Sequence, residues 1–274
     1  PIVEQSDGTF RSNFLGSELI LKNKDETKSL ERKIRDSGFY SYYSTPKEIG
    51  ELQADKAKMN RMFTEVMKES FLSWINLAEE HLKDTNVTCY LTGGNDDTQE
   101  VIDAFKDTVH VKNPDNKVVS IDEIHEMTSL GWGNPTPWKT PRECSEEELK
   151  KRIEGLVSQI KDMSNAIFNF HIPPIDCDLD TAPLLDSSVY PPKPVIKSGQ
   201  PIMVAVGSRS IRESVEKNQP ILALVGHIHE SRGTSKIGKT LIINPGSEYG
   251  EGILRGAIIN LADKKILNHQ LTSG

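Results

Sequence analysis

The stretch Gly226-His227-Ile228-His229-Glu230 places two imidazoles one residue apart, directly after the apolar run 221–225. A neutral imidazole is the commonest side-chain metal ligand. Two of them at i and i+2 in a loop need not share a face, so they can serve two adjacent ions. Gly226 lets the backbone turn tightly ahead of them. The same order, an apolar run and then polar residues, recurs twice. Residues 87–91 lead into Thr92-Gly93-Gly94-Asn95-Asp96-Asp97, and residues 166–170 lead into His171 and a Pro-Pro pair. Asn95 can offer an amide oxygen to a metal, and Asp96 or Asp97 can act on protons. The same acids suit the N-terminus of a helix beginning near Thr98, where negative charge meets the positive end of the helix dipole.

The elements that must position these residues follow from hydrophobic patterning. Short apolar, β-branched runs at 87–91, 166–170, 202–206, 221–225 and 240–243 predict buried strands. Weaker runs at 117–121 and 126–130 predict two more, and Leu19-Ile20-Leu21 suggests a hairpin strand. Open α/β sheets place their chemistry at the carboxyl ends of strands, which is where Asn95, His171 and His227 fall. Thr45 before Pro46, with Glu48 in the first turn, signals a helix start. From there to about residue 83 apolar residues recur near a period of 3.6, predicting a long helix, kinked or straight, whose Met-rich stripe faces the core. Ser145 before three glutamates caps a second helix, and Ser210 with Glu213 fits a capping box for a third. The Gly- and Pro-rich segment 131–138 is a loop whose two tryptophans can line a pocket. Residues 173–200 hold six of the 15 prolines and read as a long irregular loop. Alternating strands around 255–261 and 265–271, joined at Asp263-Lys264, close the chain. An antiparallel ending after strand–helix alternation predicts a mixed sheet or two stacked sheets.

Composition narrows the function classes. The net charge of −7 argues against binding nucleic acid through the overall field. Cys89, Cys144 and Cys177 are odd in number and widely spaced, which predicts no disulfide framework and a reducing, cytoplasmic setting. No apolar run is long enough to span a membrane. A single domain over 1–274, with a helical insertion at about 46–83, is the predicted organisation.

Taken together, Gly94-Asn95-Asp96-Asp97, the lone His171 after a strand and Gly226-His227-Ile228-His229 resemble the motifs of the calcineurin-like metallophosphoesterase superfamily. The tail Ile243-Asn244-Pro245-Gly246-Ser247 resembles its closing strand and turn. The likeness runs from about residue 85 to 271 and is nearest to small archaeal and bacterial phosphoesterases. It implies an α/β fold, a two-layer mixed β-sandwich flanked by helices, with two divalent ions (Mn, Fe or Zn) at strand ends. By the same resemblance Asn95, His171 and His227 hold one ion and His229 the other, while Asp96 and His229 act in catalysis. The implied activity is hydrolysis of a small phosphomonoester or phosphodiester, as in a manganese-type phosphatase, with nucleic acid an improbable substrate. Two departures stand out. The family's usual histidine after Gly-Asn is replaced by Asp96, and its opening Asp-x-His and Gly-Asp motifs occur nowhere in this sequence. The resemblance therefore predicts an upstream segment carrying them, and without it a chain that binds metal poorly. The alternative is a phosphoesterase fold that has lost its metals and serves as a binding scaffold.

Overall fold

The computed structural model describes all 274 residues as a mixed α/β fold in which several sheets are flanked by helices. Its centre is a six-stranded sheet. Four strands run parallel, β8 (Glu126–Leu130), β9 (Ala166–Phe170), β16 (Leu222–Leu224) and β18 (Thr240–Asn244), in the spatial order β18-β16-β9-β8. Antiparallel strands β17 (Gly233–Ile237) and β7 (Lys117–Ser120) close the two edges.

Of these strands β9, β16 and β18 read as mainly apolar runs because both faces are covered. Successive side chains point to opposite sides, so Phe168, Phe170, Ala223 and Ile242 enter one core while Ile167, Leu222, Leu241 and Ile243 enter the other. The first core is covered by α5 (Glu146–Val157) and α6 (Arg209–Asn218), through Leu149, Ile153, Leu156, Ile211 and Val215. The second is covered by the hairpin β19 (Arg255–Ala262) and β20 (Lys265–Ser273), with Tyr90 of β5 (Cys89–Tyr90) beside it. Lys264, at φ +56°, makes the hairpin turn. Sheet, hairpin layer and helices give the stacked arrangement that the patterning implied.

Two smaller units complete the chain. Strands β1 (Ile2–Glu4), β2 (Phe10–Phe14), β3 (Ser17–Leu21) and β4 (Tyr43–Ser44) form a sheet whose core is Ile2 and Phe10 packed with Leu30 and Ile34 of α1 (Lys24–Asp36). The helical segment then divides in two. Asp55 adopts extended backbone (φ −127°, ψ 96°), ending α2 (Pro46–Ala54) and capping α3 (Lys56–Leu82) through its carboxylate. Thr45 and Glu48 form the capping box of α2. Only Phe71 and Ile75 of α3 are buried, packed with Val101 and Phe105 around α4 (Gln99–Asp103) and with Val111 of β6 (Val111–Lys112). The stripe expected to face the core does so only in part: Met67 packs against Phe71 and Ile75, whereas Trp74 is 55% exposed and Leu77 54%. Phe63, Trp74 and Leu77 lie on a different face of the helix from Phe71 and Ile75, a distinction that a spread of apolar residues around most of the helix conceals.

Other expectations are corrected. β5 spans two half-buried residues rather than 87–91, and Val87 is exposed. The proline-rich stretch is not irregular throughout: β11 (Leu185–Asp186) pairs with β12 (Lys193–Pro194), β13 (Ile196–Lys197) with β14 (Gln200–Pro201), and β10 (Thr181–Pro183) with β15 (Met203–Ala205). The cap of α6 is Ser208, whose hydroxyl accepts from the Ile211 amide, two residues before the expected Ser210. Ser210 donates instead to the Glu146 carbonyl at 2.7 Å. No helix is long and apolar enough to cross a membrane, and all three cysteines are free.

Candidate metal centre

The sheet brings His171 and His227 side by side, because β9 and β16 are hydrogen-bonded neighbours and each histidine follows its strand. One further pair of contacts extends the ladder past the strand ends. The His171 amide donates to the Leu130 carbonyl at 2.9 Å, and the His171 carbonyl accepts from the Gly226 amide at 3.0 Å. Asn95 arrives from outside this sheet, on the loop between β5 and α4. Its carbonyl accepts from the Arg142 amide at 2.9 Å, which pins the loop against the strand ends.

Three donor atoms converge there. Asn95 Oδ1 lies 2.8 Å from His171 Nε2 and 3.1 Å from His227 Nδ1, and the two imidazole rings are 5.2 Å apart. Asn95 is buried, and Gly94 leaves room for the His171 ring: a Cβ at Gly94 would meet it at 2.7 Å. The amide orientation is set from behind. Asn95 Nδ2 donates to Thr140 Oγ1 at 2.8 Å, and the Thr140 hydroxyl donates to Glu143 Oε1 at 2.6 Å. Burial raises the Glu143 carboxyl, but hydrogen bonds from Thr136 and Thr140 more than offset this and hold it below its usual range. A carboxylate thus fixes a hydroxyl, and the hydroxyl fixes an amide whose oxygen is aimed at the two imidazoles.

The expected turn at Gly226 is made by the next residue. His227 has φ +65°, and the Ile228 amide donates to the Gly226 carbonyl at 2.7 Å around it, a three-residue turn of the strained kind. A non-glycine residue in this region costs of order 1–3 kcal/mol and persists only where its surroundings enforce it. Both imidazoles are held neutral. Burial, then the nearby His227, Arg142 and His229, push His171 down to about 3, while burial and then His229 lower His227.

The four residues expected to hold metal, Asn95, His171, His227 and His229, line one cleft of about 540 Å³ with Gly94, Asp96, Asp97, Trp138, Thr140 and Tyr249. His229 is exposed at its rim, its ring 5.8 Å from that of Tyr249. Asp96 is also exposed on the cleft and does not cap α4. That role falls to Thr98, whose hydroxyl accepts from the Val101 amide. Asp97 accepts from the Gly94 amide at 2.7 Å, and its carboxyl is raised, by burial first, against the opposing pull of that amide and Arg142.

Donor atoms of one first-row ion, each about 2.0–2.2 Å from it, stand roughly 3 Å from one another. Asn95 Oδ1 stands at that spacing from both His171 Nε2 and His227 Nδ1, so these residues suit one divalent ion. They do not fit a pair. No group of three or more His, Cys, Asp or Glu side chains is arranged to hold a metal, and His229 is a single donor toward a second position.

Several site residues carry no local signal in the sequence. Thr140, Glu143 and Arg142 lie in the loop after β8 and act only through long-range contacts. Arg142 is fully buried, paired with Asp115 at 3.0 Å, and a Cβ at Gly131 would strike its guanidinium. Of the two tryptophans expected to line a pocket, Trp138 does so, whereas Trp132 packs beneath Arg152, whose guanidinium lies 4.2 Å from the ring. Arg212, at the start of α6, is spent on the loop after His171. It donates to the carbonyls of Ile175 and Asp176, both at 2.8 Å.

No family profile matches the sequence. A curated protein of Methanocaldococcus jannaschii, the uncharacterized protein MJ1162, is 36% identical over 157 residues, which are 56% of this chain and 61% of that protein. The chain thus spans about three fifths of the length of this relative. The Thermus thermophilus protein TT1561 is 15% identical, with a TM-score of 0.42 over 77% of this chain and 79% of its own. A further crystal structure, 16% identical, superposes with a TM-score of 0.51 over 92% of this chain and 94% of its own. At that identity the superposition speaks to architecture alone: the chain shares its fold with a solved protein over nearly its whole length.

Proposed function

We propose that the chain is a metal-dependent phosphoesterase acting on a phosphomonoester or phosphodiester at the cleft that holds Asn95, His171, His227 and His229. The observation that carries this reading is the convergence of Asn95 Oδ1, His171 Nε2 and His227 Nδ1 from three separate chain segments, with His227 held in a strained backbone conformation. Neutral nitrogens and an amide oxygen at that spacing would hold one divalent ion. When bound, such an ion neutralises phosphoryl oxygens and acidifies a water molecule. Phosphoryl transfer asks mainly for positioning and charge neutralisation, and the chain's own residues supply the positioning. Thr140 and Glu143 hold the Asn95 amide in one orientation, and burial keeps His171 a neutral donor. His229 and Asp96, both exposed on the cleft, are the groups placed to pass a proton to the departing oxygen.

The test is hydrolysis of 4-nitrophenyl phosphate and bis(4-nitrophenyl) phosphate with Mn²⁺, Zn²⁺ or Fe²⁺, against His171→Ala and His227→Ala. Metal-dependent turnover that both variants lose supports the reading. Turnover that survives both overturns it. A second reading, a binding scaffold on the same fold, is favoured by the donor set itself, which contains no carboxylate. Ligand binding with no turnover under any metal would establish it.

A further inference from the structure

The histidine cleft is not isolated. Trp138 and His227 also line a second cleft, of about 640 Å³, that runs away from the metal donors along a different set of elements. That volume falls within the range of roughly 300–1,000 Å³ that accepts a drug-sized ligand. Its walls are mostly apolar. The ribbon of β10 and β15 places Ala182 opposite Val204, so both side chains emerge on the same face, and both line the cleft. Leu184, Val206, Ile175 and Ile228 extend the apolar surface, and Pro135 and Pro137 flank Trp138, which is 50% exposed. Charge is confined to a few groups, Arg209 at the first turn of α6, Glu146 and Glu230. A broad apolar wall that opens beside the histidine cleft matches a ligand whose polar end lies at the histidines and whose larger apolar body lies along β10 and β15. Exposed tryptophan and proline surfaces favour a flat ring over a flexible chain.

We propose that this second cleft is the subsite for the organic part of the substrate, an apolar, ring-bearing group esterified to the phosphate that sits at the histidine cleft. This rests on the phosphoesterase reading for the anionic end, while the apolar cleft can be tested by binding alone. Trp138 stands at the junction, so the ester oxygen would fall near it, the phosphate on the side of Asn95 and His171 and the ring on the side of Val204 and Leu184.

The experiment is calorimetry of the whole chain, with and without Mn²⁺, using 1-naphthylmethylphosphonate and methylphosphonate, whose P–C bonds are not hydrolysed. The expected result is that the naphthyl compound binds at least tenfold more tightly than the methyl one. Leu184→Asp, at an exposed side chain that tolerates charge without unfolding, is expected to abolish that preference, and Val204→Asp is the second variant. Equal affinity for the two phosphonates, or a preference that both folded variants retain, overturns the assignment. The two readings fail separately. Turnover of small phosphoesters without any naphthyl preference removes the subsite and leaves the phosphoesterase. A naphthyl preference lost in Leu184→Asp, with no metal-dependent turnover of 1-naphthyl phosphate, supports the subsite and removes the phosphoesterase.

Discussion

Thr140 Oγ1 accepts a 2.8 Å hydrogen bond from Asn95 Nδ2, and this one contact decides which end of the amide faces the two imidazoles. The hydroxyl hydrogen is committed to Glu143, so Thr140 can only accept from Asn95. Removing the hydroxyl with Thr140→Val frees the amide to turn its NH₂ toward the histidines. Partners that orient metal ligands are typically worth about 10–100-fold in affinity. We expect Thr140→Val to weaken Mn²⁺ binding by that order while the fold persists, and Thr140→Ser to restore it. Calorimetry on the three proteins, with melting curves alongside, checks this.

The strained turn at His227 sets up a conflict between stability and binding. The positive φ of His227 costs a non-glycine residue of order 1–3 kcal/mol. His227→Gly should therefore be more stable than His227→Ala by about 1 kcal/mol, though both lose the imidazole and with it metal binding. Urea unfolding of the two variants measures the difference. Equal stabilities would mean that the turn stores no strain.

The donor set predicts stoichiometry. Titration with Mn²⁺ should give one ion per chain, bound weakly because its ligands are neutral, and none after His171→Ala. Two ions per chain would reveal donors other than Asn95, His171, His227 and His229.

Asp96 and Thr98 separate chemistry from capping. Thr98→Ala removes the cap of α4 and should cost about 1 kcal/mol of stability. Asp96→Ala touches no hydrogen bond of that cap, so it should leave the melting temperature nearly unchanged and lower turnover instead. The reverse pattern would return Asp96 to a structural role.

Glu146 makes the fold acid-sensitive. Burial raises its carboxyl, but hydrogen bonds from Ser210, Ser208 and Arg209 outweigh that and set it below the usual range. A folded-state value below the unfolded one, about 4.3, means stabilisation that is complete above that pH and lost as pH falls through the folded value. Wild type should therefore exceed Glu146→Gln in stability at pH 7, and the gap should narrow on acidification to about pH 3. Chemical unfolding at both pH values reads the gap directly.

What the sequence made legible follows from how local each cause is. Strands β9, β16 and β18 stood out because both faces are buried, and His171 and His227 stood out because they terminate such runs. Asn95 was legible from the glycines before it. Thr140, Glu143 and Arg142 were not, since a hydroxyl, a carboxylate and a guanidinium in a Gly- and Pro-rich loop show no period, and their partners lie up to 45 residues away. Glu146 illustrates a different blindness. Three glutamates after Ser145 read as the first turn of α5, yet Glu146 also receives the amides of Arg209 and Ser210 at the start of α6. The exposed face of α3 escapes the sequence for a third reason: apolar residues spread around most of a helix do not say which side meets a partner.

The parallel order β18-β16-β9-β8 has a kinetic consequence. Two of its three neighbouring pairs, β8 with β9 and β9 with β16, are joined by long crossovers over 131–165 and 171–221, so neither can form before a large loop closes, and such non-local pairings are slow to form. Asn95, His171 and His227 are brought together by that ladder and the loop docked on its end. No segment of the chain can carry the three donors in place, so metal capture should be among the last events of refolding. A metal-sensitive fluorescence signal during refolding would then time the completion of the sheet, not its beginning.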